Sequence, residues 1–119
     1  MLEKIFTTKG RLNRLAYLKY VIGFSAASFV LNFIVGFIAA LLTGSAESTL
    51  MYIMSAIVTL PLTIGTIMAA IRRLHDLNRS GWFMLLTLIP IVNFLFGIYI
   101  LFFRGTVGYN KYGADPLGY

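Results

Sequence analysis

The chain has no cysteine, one histidine, three prolines and only four acidic residues among its 119. Without cysteine there are no disulfides, no thiolate nucleophiles and no Cys-type metal sites, and no redox clue to compartment. One histidine is too few for a usual zinc site, so we expect no metal and no cofactor. Charge is scarce as well. Charged residues make up 12% and hydrophobic residues 59%, with a mean hydropathy of +0.84, whereas a soluble domain carries about 25% charge. The length allows a single domain, residues 1–119, and the composition makes it a membrane domain.

What is abundant is apolar sequence in three runs, 20–42, 50–71 and 82–103. None contains a charge, and about 22 residues of helix cover roughly 33 Å, the thickness of a hydrocarbon core. The expectation is an all-α integral membrane protein with three transmembrane helices. The alternative is two spans plus a re-entrant helical hairpin at 82–103, turning at Pro90-Ile91-Val92-Asn93. A hairpin at depth needs cover from protein, which one helix pair supplies poorly, so three spans is the reading we favour. Pro90 is then a kink. The first run is about twice the length of a signal-peptide core and no good cleavage site follows it, so it reads as a retained anchor.

Polar residues recur within the runs at helical spacing: Ser28, Asn32, Gly36 and Ala40; Ser55, Thr59, Thr63, Thr66 and Ala70; Pro90, Asn93 and Gly97. Each set shares a face. Asn32, Thr59 and Asn93 fall at similar depth, which suggests interhelical polar contacts near the midplane. With no acid or base inside any run, a proton relay has no residue to use.

The basic residues are unevenly placed. Five lie in 1–19 (Lys4, Lys9, Arg11, Arg14, Lys19), none in the TGSAEST connection at 43–49, three in the polar wedge at 72–81 and two in the Gly-rich tail, 104–119. The positive-inside rule puts the N-terminus and the wedge in the cytoplasm. Three crossings would leave Arg104 and Lys111 on the wrong side. The net charge of +6, set beside apolar runs, favours anionic lipid over nucleic acid as partner.

The wedge holds the one histidine. Asp76 is spaced to meet Arg72 at i, i+4, and Arg73 and Arg79 at i, i+3. Ser80 is placed to cap the next helix, and Trp82 suits the headgroup level. Arg11, Arg14, Arg72, Arg73, His75, Asp76, Arg79, Ser80 and Trp82 are therefore candidates for binding anionic lipid or a protein partner. A His75/Asp76 catalytic dyad is disfavoured, because adjacent helical residues diverge and no nucleophile stands beside them, so we expect no enzyme. The tail residues Gly105, Gly108, Asn110, Tyr112, Gly113, Asp115 and Pro116 suggest tight turns, either a recognition element or a folded-back cap.

Three pieces together carry a resemblance. These are Gly10-Arg11 with Arg14; Arg72-Arg73-Leu74-His75-Asp76 with Arg79-Ser80-Gly81-Trp82; and Gly105-Thr106, Gly108, Asn110, Tyr112-Gly113 and Asp115-Pro116. In this order they resemble the small bacterial inner-membrane family known as domain of unknown function 805. Asn78 stands where that family commonly has Gly, and Phe83 where a second Trp is common. The resemblance implies a multi-pass protein of the bacterial cytoplasmic membrane and brings no activity with it. The functional expectations are an Arg-rich cytoplasmic face for lipid or a partner, or else a homo-oligomeric channel or transporter subunit, or less plausibly an enzyme acting on headgroups.

Overall fold

The computed structural model describes residues 2–45 and 48–118, so Ala46 and Glu47 of the first connection lie outside the described residues. A short helix α1 (Leu2–Ile5) precedes two long ones, α2 (Arg14–Thr43) and α3 (Thr49–Asp76). Their ends follow from local chemistry. Asn13 sits in extended backbone and its side chain accepts from the Ala16 N–H at 2.8 Å, starting α2. Gly44 ends it in the left-handed region at φ 77°, returning its N–H to Ala40. Ser48 caps α3 through the Met51 N–H at 3.2 Å. At the far end Asn78, at φ 59°, closes a Schellman turn: its N–H bonds His75 O at 3.0 Å, and the Arg79 N–H bonds Leu74 O at 2.8 Å. Asparagine tolerates this conformation better than other residues with a side chain, which accounts for Asn78 at a position suited to Gly.

At 30 and 28 residues, α2 and α3 reach roughly 45 and 42 Å, longer than the apolar runs within them. Both are long and apolar enough to cross a membrane, and only 11% and 17% of their most apolar windows are buried. A core helix of a soluble protein would be mostly covered. Here Phe29, Phe33, Phe37 and Leu41 are exposed in a row along α2, as a lipid-facing stripe is. The helices run antiparallel, and the Leu12 N–H bonds Arg72 O at 3.1 Å where the entry to α2 meets the exit of α3.

Midway along the pair the expected polar contact forms in part. The Asn32 amide donates to Ser28 O at 2.8 Å and to Thr59 Oγ1 at 3.0 Å, and its carbonyl accepts from the Ser55 hydroxyl. Gly36 has open space where a side chain would stand, so that part of the stripe makes no close approach. The third stripe does not join. Asn93 is exposed in the first turn of the last helix, and Gly97 has nothing near it.

Residues 82–103 do not form one continuous helix. A 3-10 helix covers Gly81–Leu88, Ile89 is extended at φ −101°, ψ 115°, and α4 covers Pro90–Phe102. Proline disfavours helical backbone at the residue before it and is well suited to a first helical position, so Pro90 begins a helix rather than kinking one. Eight residues of 3-10 and 13 of α-helix reach roughly 16 and 20 Å, each short of a 30 Å core. Three spans are therefore not established. Two long candidate spans and a shorter apolar helix are. Both ends of the segment meet the same end of the long pair. Gly81 lies against Ile71, and the carbonyls of Phe102 and Phe103 accept from Arg14 and Arg73. The tightest apolar core lies there, with Leu12, Tyr17, Ala69, Ala70, Leu74, Phe96 and Ile100 packed together.

Candidate functional site

Asp76, the last residue of α3, is 3% exposed and both carboxylate oxygens are engaged. Arg73, one turn back, brings Nη1 to Oδ2 at 2.6 Å. Arg11, from the segment before α2, brings Nη2 and Nε to Oδ1 at 2.9 and 3.0 Å. The i, i+3 pair is the one expected from the wedge. The second guanidinium comes from 65 residues away, and neither Arg72 nor Arg79 pairs with this acid. Three guanidiniums around one acid was the expectation, and two is the finding.

The remaining guanidinium donors are taken by backbone. Arg11 Nη1 donates to the carbonyls of Gly108 at 2.6 Å and Gly113 at 3.1 Å, and Nη2 donates to Thr106 O. Arg73 donates to Ile100 O at 2.7 Å and to Phe103 O, carbonyls that the end of α4 leaves without helical partners. The Thr106 N–H returns to Asp76 O at 2.7 Å. Arg11, Arg73 and Asp76 thus join the N-terminal segment, α3, α4 and the tail in one buried clasp. Fully bonded buried charge of this kind specifies an arrangement, and losing one member is costly.

The tail is the folded-back cap. Asn110 and Gly113 form a two-residue bridge with both bonds at 3.1 Å, the Asn110 amide donates to His75 O at 2.8 Å, and Tyr112 stacks on the His75 ring at 3.9 Å and 4°. His75 Nδ1 faces Gly10 O at 3.1 Å rather than Asp76, so no His75/Asp76 dyad is assembled. Asp115 accepts from the Gly108 and Leu117 N–H groups, each at 2.9 Å, and these bonds hold its carboxyl below the usual range. Gly105 is required by space. A Cβ there would meet Asp76 Oδ2 at 2.0 Å. Pro116 is exposed and makes no contact that assigns it a role.

The other candidates divide. Arg14 and Arg79 are exposed, Arg14 on Phe102 O at 3.1 Å and Arg79 on the Tyr99 hydroxyl at 3.3 Å with its guanidinium over Phe83. Ser80 caps the 3-10 helix through the Trp82 N–H at 3.2 Å, and Trp82 is 79% exposed. Arg72 is buried, lies over the Tyr20 ring, and has Nε and Nη2 without hydrogen-bond partners. His75, Ser80 and Trp82 come together with Thr8, Ile71 and Leu85 along a cleft of about 400 Å³. It has polar groups at the wedge and apolar walls beside them. The carbonyls of Leu12 (3.4 Å from Arg73 Nη1), Ile100, Phe103, Thr106, Gly108 and Gly113 were not foreseen, since every residue carries a carbonyl and only the fold selects which ones face a cation.

Among known proteins, the chain is 35% identical to the inner membrane protein YhaI of Escherichia coli K12, over 86% of this chain and 92% of that protein. It is 32% identical to the inner membrane protein YhaH of the same strain, over 91% and 85%. No solved structure shows significant similarity to it. These relatives and the two long apolar helices place the protein in the bacterial inner membrane. The family model matches residues 5–114, spanning the entire clasp except Asp115 at its edge, and the chain belongs to the family described as protein of unknown function DUF805.

Proposed function

We propose that this is a non-enzymatic inner-membrane protein that crosses the bilayer twice, re-enters at 81–103, and binds anionic phospholipid through one basic cytoplasmic face. A single observation carries the reading. The tail hydrogen-bonds to the wedge and to Arg11, so all ten Lys and Arg residues belong to one end of the molecule. A third crossing would strand Arg104 and Lys111 across the bilayer, whereas re-entry satisfies the positive-inside rule for every base. Phe96 and Ile100 hold the second half of the segment against the long pair through the core.

The lipid-binding residues are not those the wedge alone indicated. Arg11 and Arg73 are occupied by Asp76 and backbone carbonyls. Of the ten bases, Arg11, Arg72 and Arg73 are buried, which leaves seven exposed: Lys4, Lys9, Arg14, Lys19, Arg79, Arg104 and Lys111. Basic side chains near an anionic leaflet are each worth about 1 kcal/mol, within a Debye length of the surface. The cleft beside His75, Ser80 and Trp82 offers the same face a place for an amphiphile. The midplane amide of Asn32 is bonded within the helix pair, which supports lipid binding over an ion pathway.

The test is lipid selectivity in reconstituted vesicles, read by electron paramagnetic resonance of spin-labelled phosphatidylglycerol and phosphatidylcholine. The anionic label should be enriched beside the protein, and the enrichment should fall with salt and with combined Arg14, Arg79 and Arg104→Gln substitution. Equal association of both labels would refute lipid recognition.

A further inference from the structure

We infer that Arg72, with the groove along the start of α2, is a binding site for one anionic glycerophospholipid, distinct from the salt-sensitive shell around the basic face. Arg72 is 7% exposed. Its Nε and Nη2 are sealed from solvent without hydrogen-bond partners, and a buried guanidinium without a counter-charge is strongly unfavourable. The carboxylate nearest in sequence, Asp76, is filled by Arg11 and Arg73. The Arg72 guanidinium lies over the face of Tyr20, its carbon 5.0 Å from the ring centroid. A ring face attracts the cation but accepts no conventional hydrogen bond from its N–H groups. These donors are closed off in this conformation, and a phosphodiester with several acceptor oxygens would reach them once the Tyr20 side chain turns aside.

Tyr20 is also a wall of a groove of about 530 Å³, formed by Ala16, Gly23, Phe24 and Ala27 of α2 with Leu62 of α3 and Ile5 of α1. The walls are almost entirely apolar, and the exposed ammonium of Lys19 stands among them. From Lys19 to Ala27 the groove follows α2 for roughly 12 Å. Lys19 in the wall, Arg72 behind Tyr20 and an apolar trough leading along α2 match a headgroup phosphate and the upper part of its acyl chain. A membrane-immersed helix meets that ligand in its own solvent.

This site rests on the lipid-binding reading, and the experiment separates the two. The full chain is purified in mild detergent, equilibrated with equal phosphatidylglycerol and phosphatidylethanolamine, and analysed by native mass spectrometry. One phosphatidylglycerol should persist at high salt. Arg72→Gln should lower that adduct by about tenfold or more, a loss of about 1.4 kcal/mol. Gly23→Leu should do the same by filling the groove, since a Cβ at Gly23 meets nothing within 4 Å and the fold need not shift. Spin-label selectivity in vesicles should be unchanged by both. An adduct that survives both substitutions, or equal retention of phosphatidylethanolamine, overturns the site. Loss with Arg72→Gln alone, or displacement of the lipid by inorganic phosphate, overturns the groove. If selectivity in vesicles is absent while the single adduct follows Arg72 and Gly23, the basic-face reading fails and this site stands. If Arg72→Gln does not fold, Gly23→Leu decides.

Discussion

Gly105→Ala should unlatch the tail, and the structure says why at the level of one methyl group. The new Cβ would lie 2.0 Å from Asp76 Oδ2, 2.5 Å from Cγ and 2.9 Å from Oδ1, where ordinary contact begins at 3.4 Å. Relief requires a shift of about 1.4 Å against Oδ2, far more than packing slack provides. If the carboxylate yields, it loses optimal geometry to Arg73 at 2.6 Å and Arg11 at 2.9 Å, and disrupting a buried pair costs about 3–5 kcal/mol. If the tail yields, the Thr106 N–H bond to Asp76 O and the Arg11 bonds to the carbonyls of 106, 108 and 113 are lost. At about 1 kcal/mol for the neutral bond and 1.5–3 for each charge-assisted one, the gross loss is about 5.5 or more, which hydration of the freed groups cuts to about 3. The tail is the cheaper part to move because water can take over its carbonyls. Trypsin cleavage at Lys111, an exposed residue in that tail, reads the open population when opening is fast. About 3 kcal/mol corresponds to roughly 100-fold faster cleavage. Gly97→Ala, where nothing lies within 4 Å, is the control. Equal cleavage of Gly105→Ala and Gly97→Ala would refute the clasp.

Asp76→Asn should cost about 3–5 kcal/mol in unfolding by detergent titration, because Arg11 and Arg73 are left buried without a counter-charge; a cost under about 1 kcal/mol would mean the clasp is incidental. Asn32→Ala should cost about 1–2 kcal/mol, since midplane bonds average about 0.6 each and three polar partners lose the amide. Asn93→Ala, exposed in α4, should change little, and equal effects would refute the assignment of Asn32 to the helix interface. Acid should loosen the Asp115 turn. Its folded-state carboxyl is held below the usual range by the Leu117 and Gly108 N–H groups, aided by Arg11 and Arg104, so its stabilisation is present above the ordinary carboxylate value and lost as pH falls through the depressed one. Nuclear magnetic resonance shifts of those two amides should follow this titration and lose it in Asp115→Asn; an identical profile in that variant would assign the transition elsewhere, to Asp76 for example.

Hydropathy alone located both long helices, because an uncharged stretch of about 22 residues has few alternatives to a span. It did not resolve 82–103. By composition that run matches the other two, yet it holds Pro90 near its centre and lacks any base beyond it that a third crossing could leave outside comfortably. The count of Arg104 and Lys111 already argued for return, while the scarcity of cover from one helix pair argued against it. What positions the segment's second half is remote in sequence: Phe96 and Ile100 pack with Leu12, Tyr17 and Leu74, contacts between parts of the chain that no local pattern joins. Asn93 misses the Asn32 contact because its depth was counted along one continuous helix, which the extended Ile89 interrupts.

The site shows a sharper limit of reading charge from sequence. Arg11, Arg14, Arg72, Arg73 and Arg79 are chemically identical in a list, and they meet three different fates here. Two close on a buried carboxylate and orphan carbonyls, two reach the surface, and one is buried over a tyrosine ring with two nitrogens unbonded. What sorts them is where helices end. Arg73 is fixed because α4 stops at Phe102 and leaves carbonyls facing α3. Arg11 is fixed because the tail turns back with three carbonyls on one side. Arg72, one residue before Arg73, is rotated about 100° around α3 toward Tyr20, where no helix ends. Neighbours in sequence therefore differ, one satisfied by the fold and one with two donors the fold leaves unbonded. That division predicts that Arg73→Gln unfolds the clasp end whatever lipid is present, whereas added phosphatidylglycerol raises the stability of the wild type more steeply than that of Arg72→Gln. A thermal stability series in that lipid would show parallel curves for the wild type and Arg72→Gln if the reasoning is wrong.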